Sequence, residues 1–217
     1  MVDATLTISS KNYSSWSLRG WLLTKFSGLP FAEEIVPSDD PSVREELLLL
    51  SPSFLVPCLH HNGIRVWDTL AIGEYLNEIK PEAHLLPKDL ATRARCRAIC
   101  GEMHSGFGAL RSALPVNLQG DFPGFKIWHR AKADIDRITA IWRECLALYG
   151  GPFLFGERSM ADAMYAPVVT RFLTYHVDLD PMCAAYCEKI MAMPEMHEWV
   201  EAAKREPREV EELEVEF

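Results

Sequence analysis

The dipeptide Asn62-Gly63 sits between two short β-patterned runs, residues 56–60 and 64–66. Asn and Gly both tolerate positive φ, so a two-residue Asn-Gly loop closes a tight antiparallel hairpin. Upstream, the alternating Thr5-Leu6-Thr7-Ile8 and the run at 31–36 also read as strands. Between those two, Leu18, Trp21, Leu22 and Phe26 recur at helical spacing, and Gly28 with Pro30 ends the helix. Two strands joined through a helix run parallel, so the sheet must be mixed. A loop at 37–41, a short helix at 42–50 stopped by Ser51-Pro52, and a helix over 68–79 complete the pattern. The order β-α-β-α-β-β-α predicts a small α/β domain on a four-stranded mixed sheet.

Residues 80–89 carry Pro81 and Pro87 and read as a linker. Beyond it only helical periodicities recur, over 90–118, 126–149, 160–175, 181–192 and 195–205, so the second part is expected to be all-helical. The tail at 209–217 alternates acidic and apolar residues and fits either a solvated extension or a surface strap. A chain of 217 residues supports a core without covalent staples. Its six cysteines, scattered through apolar segments, are expected to be reduced and mostly buried. A net charge of -9 argues against nucleic acid or an anionic membrane as the main partner. No apolar run reaches transmembrane length, and Met1-Val2-Asp3-Ala4-Thr5 has no leader pattern, so a cytoplasmic location is expected.

Three stretches carry candidate chemistry. Asn12-Tyr13-Ser14-Ser15-Trp16-Ser17-Leu18-Arg19 forms a strand-to-helix junction rich in hydroxyls. The first turn of a helix presents unpaired N–H groups and the positive dipole end, so an anion is stabilised there. Tyr13, Ser14, Ser15 and Ser17 can all donate to it, although a plain N-cap at Ser14 or Ser15 explains the same residues. Val56-Pro57 stands where a strand begins, a position that spares the proline N–H. A cis bond there turns the Val56 backbone outward to pair with an extended peptide ligand, whereas a trans bond makes it an ordinary strand start. Asp68-Thr69 opens the next helix, either as a plain cap or as a head-group site. In the second reading the Thr69 hydroxyl and N–H hold a carboxylate while Asp68 holds an ammonium.

Taken together, Ser14-Ser15-Trp16-Ser17-Leu18-Arg19, Val56-Pro57 and Asp68-Thr69 in this topology resemble the glutathione S-transferase family. Ser159-Met160-Ala161-Asp162, continued by Ala163-Met164-Tyr165-Ala166-Pro167, resembles the capping box of that family's C-terminal domain. The resemblance spans nearly the whole chain. It implies a thioredoxin-like α/β domain at 1–82 holding glutathione as co-substrate, and an all-α helical bundle at 83–217 forming the electrophile pocket. It further implies a homodimer, for which Phe54 is a candidate apolar anchor, and no metal. Ser14 is the implied activator of the glutathione thiol, with Tyr13 and Ser15 as rivals. Val56, Pro57, Asp68 and Thr69 are the implied glutathione contacts, and His104 and Arg111 candidates for the substrate cleft. The implied reaction is conjugation of the glutathione thiolate to a small hydrophobic electrophile. Glutathione-dependent isomerisation or dehalogenation, and a non-catalytic binding protein of the same fold, are the alternatives.

Some residues depart from the family pattern. Asp68-Thr69 replaces the commoner Glu-Ser and keeps both a carboxylate and a hydroxyl. Trp16 stands where the zeta class has cysteine, which weighs against zeta-type maleylacetoacetate isomerase activity. No cysteine lies near the first junction, which weighs against omega-like thiol exchange. Cys96, Cys100 and His104 fall one turn apart on one helix, and such ligands do not converge on one ion. Cys183 and Cys187 share that spacing and read as core. Arg111 and Arg171 either line the electrophile pocket or pair with surface acids, Asp162 caps a helix, and Trp128, Trp142 and Trp199 read as core or interface.

Overall fold

The computed structural model describes residues 4–36 and 56–207. The loop expected at 37–41, the helix at 42–50, Phe54 and the tail at 209–217 lie outside the described residues. The described elements are β1 (Ala4–Ile8), α1 (Ser15–Ser27), β2 (Ala32–Ile35), β3 (Cys58–His61), β4 (Ile64–Trp67) and α2 (Thr69–Ile79). A 3₁₀ turn at Pro81–Ala83 leads to α3 (Leu90–Ser105), α4 (Gly108–Ala113), α5 (His129–Tyr149), α6 (Met160–Thr174), α7 (Pro181–Met191) and α8 (Pro194–Ala203).

The strands lie in the order β2-β1-β3-β4, with β1 parallel to β2 and antiparallel to β3. β3 and β4 are antiparallel, with His61 opposite Ile64. The loop residues have φ of 50° at Asn62 and 75° at Gly63, the paired positive values that a tight hairpin of this hand needs. On central β1, Ala4, Leu6 and Ile8 are buried while Thr5 and Thr7 are partly exposed, the period-2 pattern of a sheet with one covered face.

Helix α1 is the hub. It packs against α2 on one side and α6 on the other, so it joins the sheet layer to the helical layer. That explains why it is buried nearly all round rather than along one stripe. Leu18, Trp21, Leu22 and Leu23 are almost fully buried, each worth about 1.5–3 kcal/mol in area removed from water. Trp21 meets Trp199 of α8 at 5.2 Å between ring centroids. Gly20 lets the Val56-Pro57 segment reach α1, because a Cβ there would lie 2.4 Å from the Pro57 Cγ. The Val56-Pro57 bond is cis, and the β3 ladder starts only at Cys58.

Helix α6 runs through the core behind a capping box. The Asp162 carboxylate accepts from the Ser159 N–H at 2.8 Å and the Ser159 hydroxyl at 3.1 Å. It also accepts from the Leu154 N–H at 3.2 Å and the Tyr186 hydroxyl at 3.1 Å. Burial pushes its pKa up to about 6 against these bonds, which pull the other way. The six cysteines are buried free thiols.

The helical part departs from the sequence reading in several places. The pattern at 90–118 splits into α3 and α4, because the chain turns at Gly106 and at Phe107, which has φ of 62°. Of the three tryptophans read as core or interface, Trp142 and Trp199 are fully buried, whereas Trp128 stands outside the core, before α5, at 75% exposure. Arg171 is a core residue, its Nε donating to the Leu114 carbonyl at 2.8 Å. Among the described residues no helix is long and apolar enough to cross a membrane.

Candidate active site

The N-terminus of α1 is capped by Ser14, whose extended backbone (φ -89°, ψ 102°) lets its side chain turn back over the first turn. The Ser14 hydroxyl oxygen accepts from the Ser17 N–H at 3.2 Å. The same hydroxyl donates to the Ser17 hydroxyl at 2.9 Å, which also accepts from the Ser9 N–H at 3.0 Å. Ser14 therefore belongs to a short chain of hydroxyls anchored to the end of β1. Ser15, one residue on, is buried, while Ser14 and Tyr13 are partly exposed.

The N-terminus of α2 is built with backbone strain. Asp68 has φ of 75° and ψ of 133°, values an L-residue adopts only when its surroundings impose them. Its Oδ1 accepts from the Leu70 and Ala71 N–H groups at 2.8 and 3.4 Å. Its Oδ2 lies 3.0 Å from the His104 Nε2 of α3. Thr69 follows, 1% exposed, and its hydroxyl is buried with no hydrogen-bond partner among the described residues. A buried hydroxyl left unpaired costs about 1–3 kcal/mol.

The two helix N-termini converge through His104. Its ring meets the edge of Trp16, the second residue of α1, at 5.1 Å. Trp16 lies between the guanidinium groups of Arg19 and Arg111, at 4.6 and 4.8 Å from its ring centroid. Arg111 also donates to the Met103 and His104 carbonyls, closing the C-terminal end of α3. The stack thus links α1 to α3, and His104 carries the link on to Asp68.

The junction before Ser14 is held from the far end of the chain. The Glu206 carboxylate accepts from the Ser10 hydroxyl at 2.6 Å, the Lys11 N–H at 2.6 Å and the Asn12 N–H at 3.0 Å. Trp199 Nε1 donates to the Lys11 carbonyl at 2.9 Å, and the Asn12 side chain donates to Asn117 Oδ1 at 3.2 Å. Beside this junction Tyr13 forms one wall of a 310 Å³ cavity, with Val116, Asn117, Phe122, Phe125 and Tyr175 among its other walls.

Two domain models match the chain, one for the N-terminal domain of glutathione S-transferases over residues 13–79 and one for the C-terminal domain over 125–202. A rat (Rattus norvegicus) maleylacetoacetate isomerase is 34% identical over 173 residues, which cover 77% of each chain. The chain belongs to the glutathione S-transferase family. Glutathione S-transferase L3 of Arabidopsis thaliana is 24% identical over 98% of this chain and 88% of its own. Among solved structures, a glutathione transferase homologue from Burkholderia, with bound glutathione, superposes with a TM-score of 0.70. It is 24% identical, over 94% of this chain and 98% of that one, so it shows the shared fold.

For this family member, the fold brings Ser14, Trp16, His104, Asp68 and Thr69 to one end of α1 and α2, with Pro57 resting against α1. Tyr13 instead lines the cavity, and Ser15 is buried. Arg111 is occupied by Trp16 and the α3 carbonyls. Cys96 and Cys100 are core thiols, whereas His104 faces Trp16 and Asp68. Sequence reasoning missed Glu206 and Asn117, and gave Asn12 and Trp199 no part in holding the junction. The only local hint is Asn12 at the head of the junction, because the partners come from beyond residue 116.

Proposed function

We propose that this chain conjugates the thiolate of glutathione to a small hydrophobic electrophile. The observation that carries the proposal is the buried, unpartnered Thr69 hydroxyl beside strained Asp68, at an α2 N-terminus that converges on the Ser14-capped start of α1. The Thr69 hydroxyl and N–H take the γ-glutamyl carboxylate. Asp68 Oδ1 accepts two N–H groups, whereas Oδ2 meets only His104 and has a lone pair left, so Oδ2 takes the ammonium. The Val56 backbone, ahead of the start of β3, pairs with the cysteinyl unit, which delivers the sulfur to Ser14.

A free thiol titrates near ~8.5, so only a few per cent is thiolate at pH 7. Donation from Ser14 and the positive end of α1 both favour the anion. Ser14 keeps its contact to Ser17 when the proton order reverses, Ser17 then donating and Ser14 turning its own proton to the sulfur. The thiol proton leaves to solvent and none passes to Ser14. The thiolate forms a C–S bond at the electrophilic carbon, and the leaving group departs with its bonding pair. A shift of about two pKa units, worth roughly 2.7 kcal/mol, makes the thiolate dominant at neutral pH.

Isomerisation is the second reading, favoured by the identity to rat maleylacetoacetate isomerase. It uses the same thiolate, which adds to the substrate and leaves again. Assaying conjugate formation against an aryl halide beside isomer formation from maleylacetoacetate separates the two. Net consumption of glutathione supports conjugation, and turnover with glutathione unchanged supports isomerisation.

The proposal includes a glutathione-binding domain over 1–82, a helical domain over 83–217, a cytoplasmic location and a homodimer. Sedimentation at micromolar concentration is expected to give twice the 24.6 kDa chain mass, and a mass of one chain would refute the dimer.

A further inference from the structure

Helix α3 ends beside the cap of α2, and its last turn carries His104. Three contacts fix how this residue lies. Its carbonyl accepts from Arg111 at 3.1 Å, which holds the backbone at the end of the helix. Its ring meets Trp16 of α1 at 5.1 Å and 67°, an edge-on contact that sets the plane of the imidazole. Its Nε2 lies 3.0 Å from Asp68 Oδ2. Nδ1 is buried with no hydrogen-bond partner among the described residues, so Nε2 is the nitrogen that engages a neighbour. Asp68 itself sits at φ of 75°, with Oδ1 held by the Leu70 and Ala71 N–H groups. A carboxylate held at one oxygen can still swing the other. Here the imidazole N–H holds that second oxygen, and an oxygen accepting one N–H has a lone pair left.

We infer that His104 is a positioning residue for glutathione: it fixes Asp68 Oδ2 so that the remaining lone pair meets the ammonium of the γ-glutamyl unit. The inference rests on the reading that Asp68 takes that ammonium. It adds that a residue of the helical part decides how well Asp68 does so. His104 acts through Asp68 and makes no contact of its own with glutathione. One N–H on Oδ2 suits this task, because none would leave the oxygen free to turn away and a second would use the lone pair that the ammonium needs. Trp16 and Arg111 serve the same end by holding the ring and the backbone of His104 in place. Recognition of the amine therefore depends on how α3 is set against α1, and not only on the residues of the α2 cap.

The test is calorimetry on the full chain with two probes, glutathione and its deaminated analogue, in which a glutaryl group replaces the γ-glutamyl unit. The parent is expected to bind glutathione about tenfold more tightly or better, since only glutathione carries the ammonium. His104→Phe keeps a ring against Trp16 and removes the donor. It is expected to weaken glutathione about three- to tenfold, the low end of a charged hydrogen bond because the pair is half-exposed, and to leave the analogue within about twofold. His104→Gln puts an amide N–H near the place of Nε2 and is expected to restore the preference for glutathione to within about threefold of the parent's. Equal loss for both probes in His104→Phe overturns the inference, because His104 would then only hold the site together. An unchanged preference in His104→Phe, or a His104→Gln protein no better than His104→Phe, overturns it too. A parent that binds both probes equally overturns the reading of Asp68, and the inference falls with it.

Discussion

Replacing Glu206 removes a carboxylate that holds the backbone of the loop carrying Tyr13 and Ser14. Three donors converge on it, two at 2.6 Å and one at 3.0 Å, and two of them are backbone N–H groups. The Asn12 N–H has a second acceptor in the Ser10 hydroxyl at 3.1 Å. The Lys11 N–H is the donor that loses most. A hydrogen bond to a charged group contributes roughly 1.5–3 kcal/mol, but these three share one half-buried carboxylate and are not additive. Glu206→Ala is therefore expected to destabilise the fold by about 2–4 kcal/mol, and Glu206→Gln by about half that, since it keeps one acceptor oxygen. The loop should shift as well, and a displacement near 1 Å at a reacting group costs on the order of a hundredfold in rate. Urea denaturation gives the stability change, and turnover with saturating glutathione gives the catalytic one. A Glu206→Ala protein within about 0.5 kcal/mol of the parent, with unchanged turnover, would refute the claim that this carboxylate positions the loop.

Asp162 links stability to pH. Its pKa rises from 3.8 to about 6 on folding, so its contribution is fully present below pH 3.8 and is lost as pH rises through about 6. Across that window the parent is expected to lose roughly 2–3 kcal/mol relative to Asp162→Asn, and parallel stability curves for the two proteins would contradict this. Thr69→Val removes an unpaired buried hydroxyl while keeping its volume. Without ligand its stability should be unchanged or slightly higher, whereas calorimetry should show glutathione affinity reduced about ten- to a hundredfold; equal affinity would remove Thr69 from the site.

Local chemistry carried the sheet and its two helix caps. Asn62-Gly63 needs only its own φ values to make the hairpin, and the helix between β1 and β2 dictates their parallel pairing. Ser14 and Asp68 were readable because capping depends on residues two or three positions away. What joins the caps was not readable. Ser10 and Glu206 are 196 residues apart, and no periodicity marks such a pair. The His104 link to Asp68 and Trp16 needs α3 to be placed against α1, and helical spacing says nothing of rotation about the neighbouring helix. Arg111 was open between lining the pocket and pairing with surface acids, and its sequence neighbours do not show that Trp16 and the α3 carbonyls bind it. Trp128 looked apolar-facing for the converse reason: residue type alone does not tell a buried face from the exposed approach to α5.

The most direct test is the pH titration of thiolate absorbance with glutathione bound, in the parent, Ser14→Ala and Tyr13→Phe. Ser14 sits on the α1 N-terminus with a hydroxyl it can redirect, whereas Tyr13 faces the cavity. Ser14→Ala is expected to raise the bound thiol's pKa by about one to two units, from a lost hydrogen bond to an anion of roughly 1.5–3 kcal/mol. Turnover at neutral pH should fall about ten- to a hundredfold and recover at high pH, while Tyr13→Phe leaves the titration close to the parent's. An upward shift in Tyr13→Phe with none in Ser14→Ala would contradict the account and move thiol activation to Tyr13.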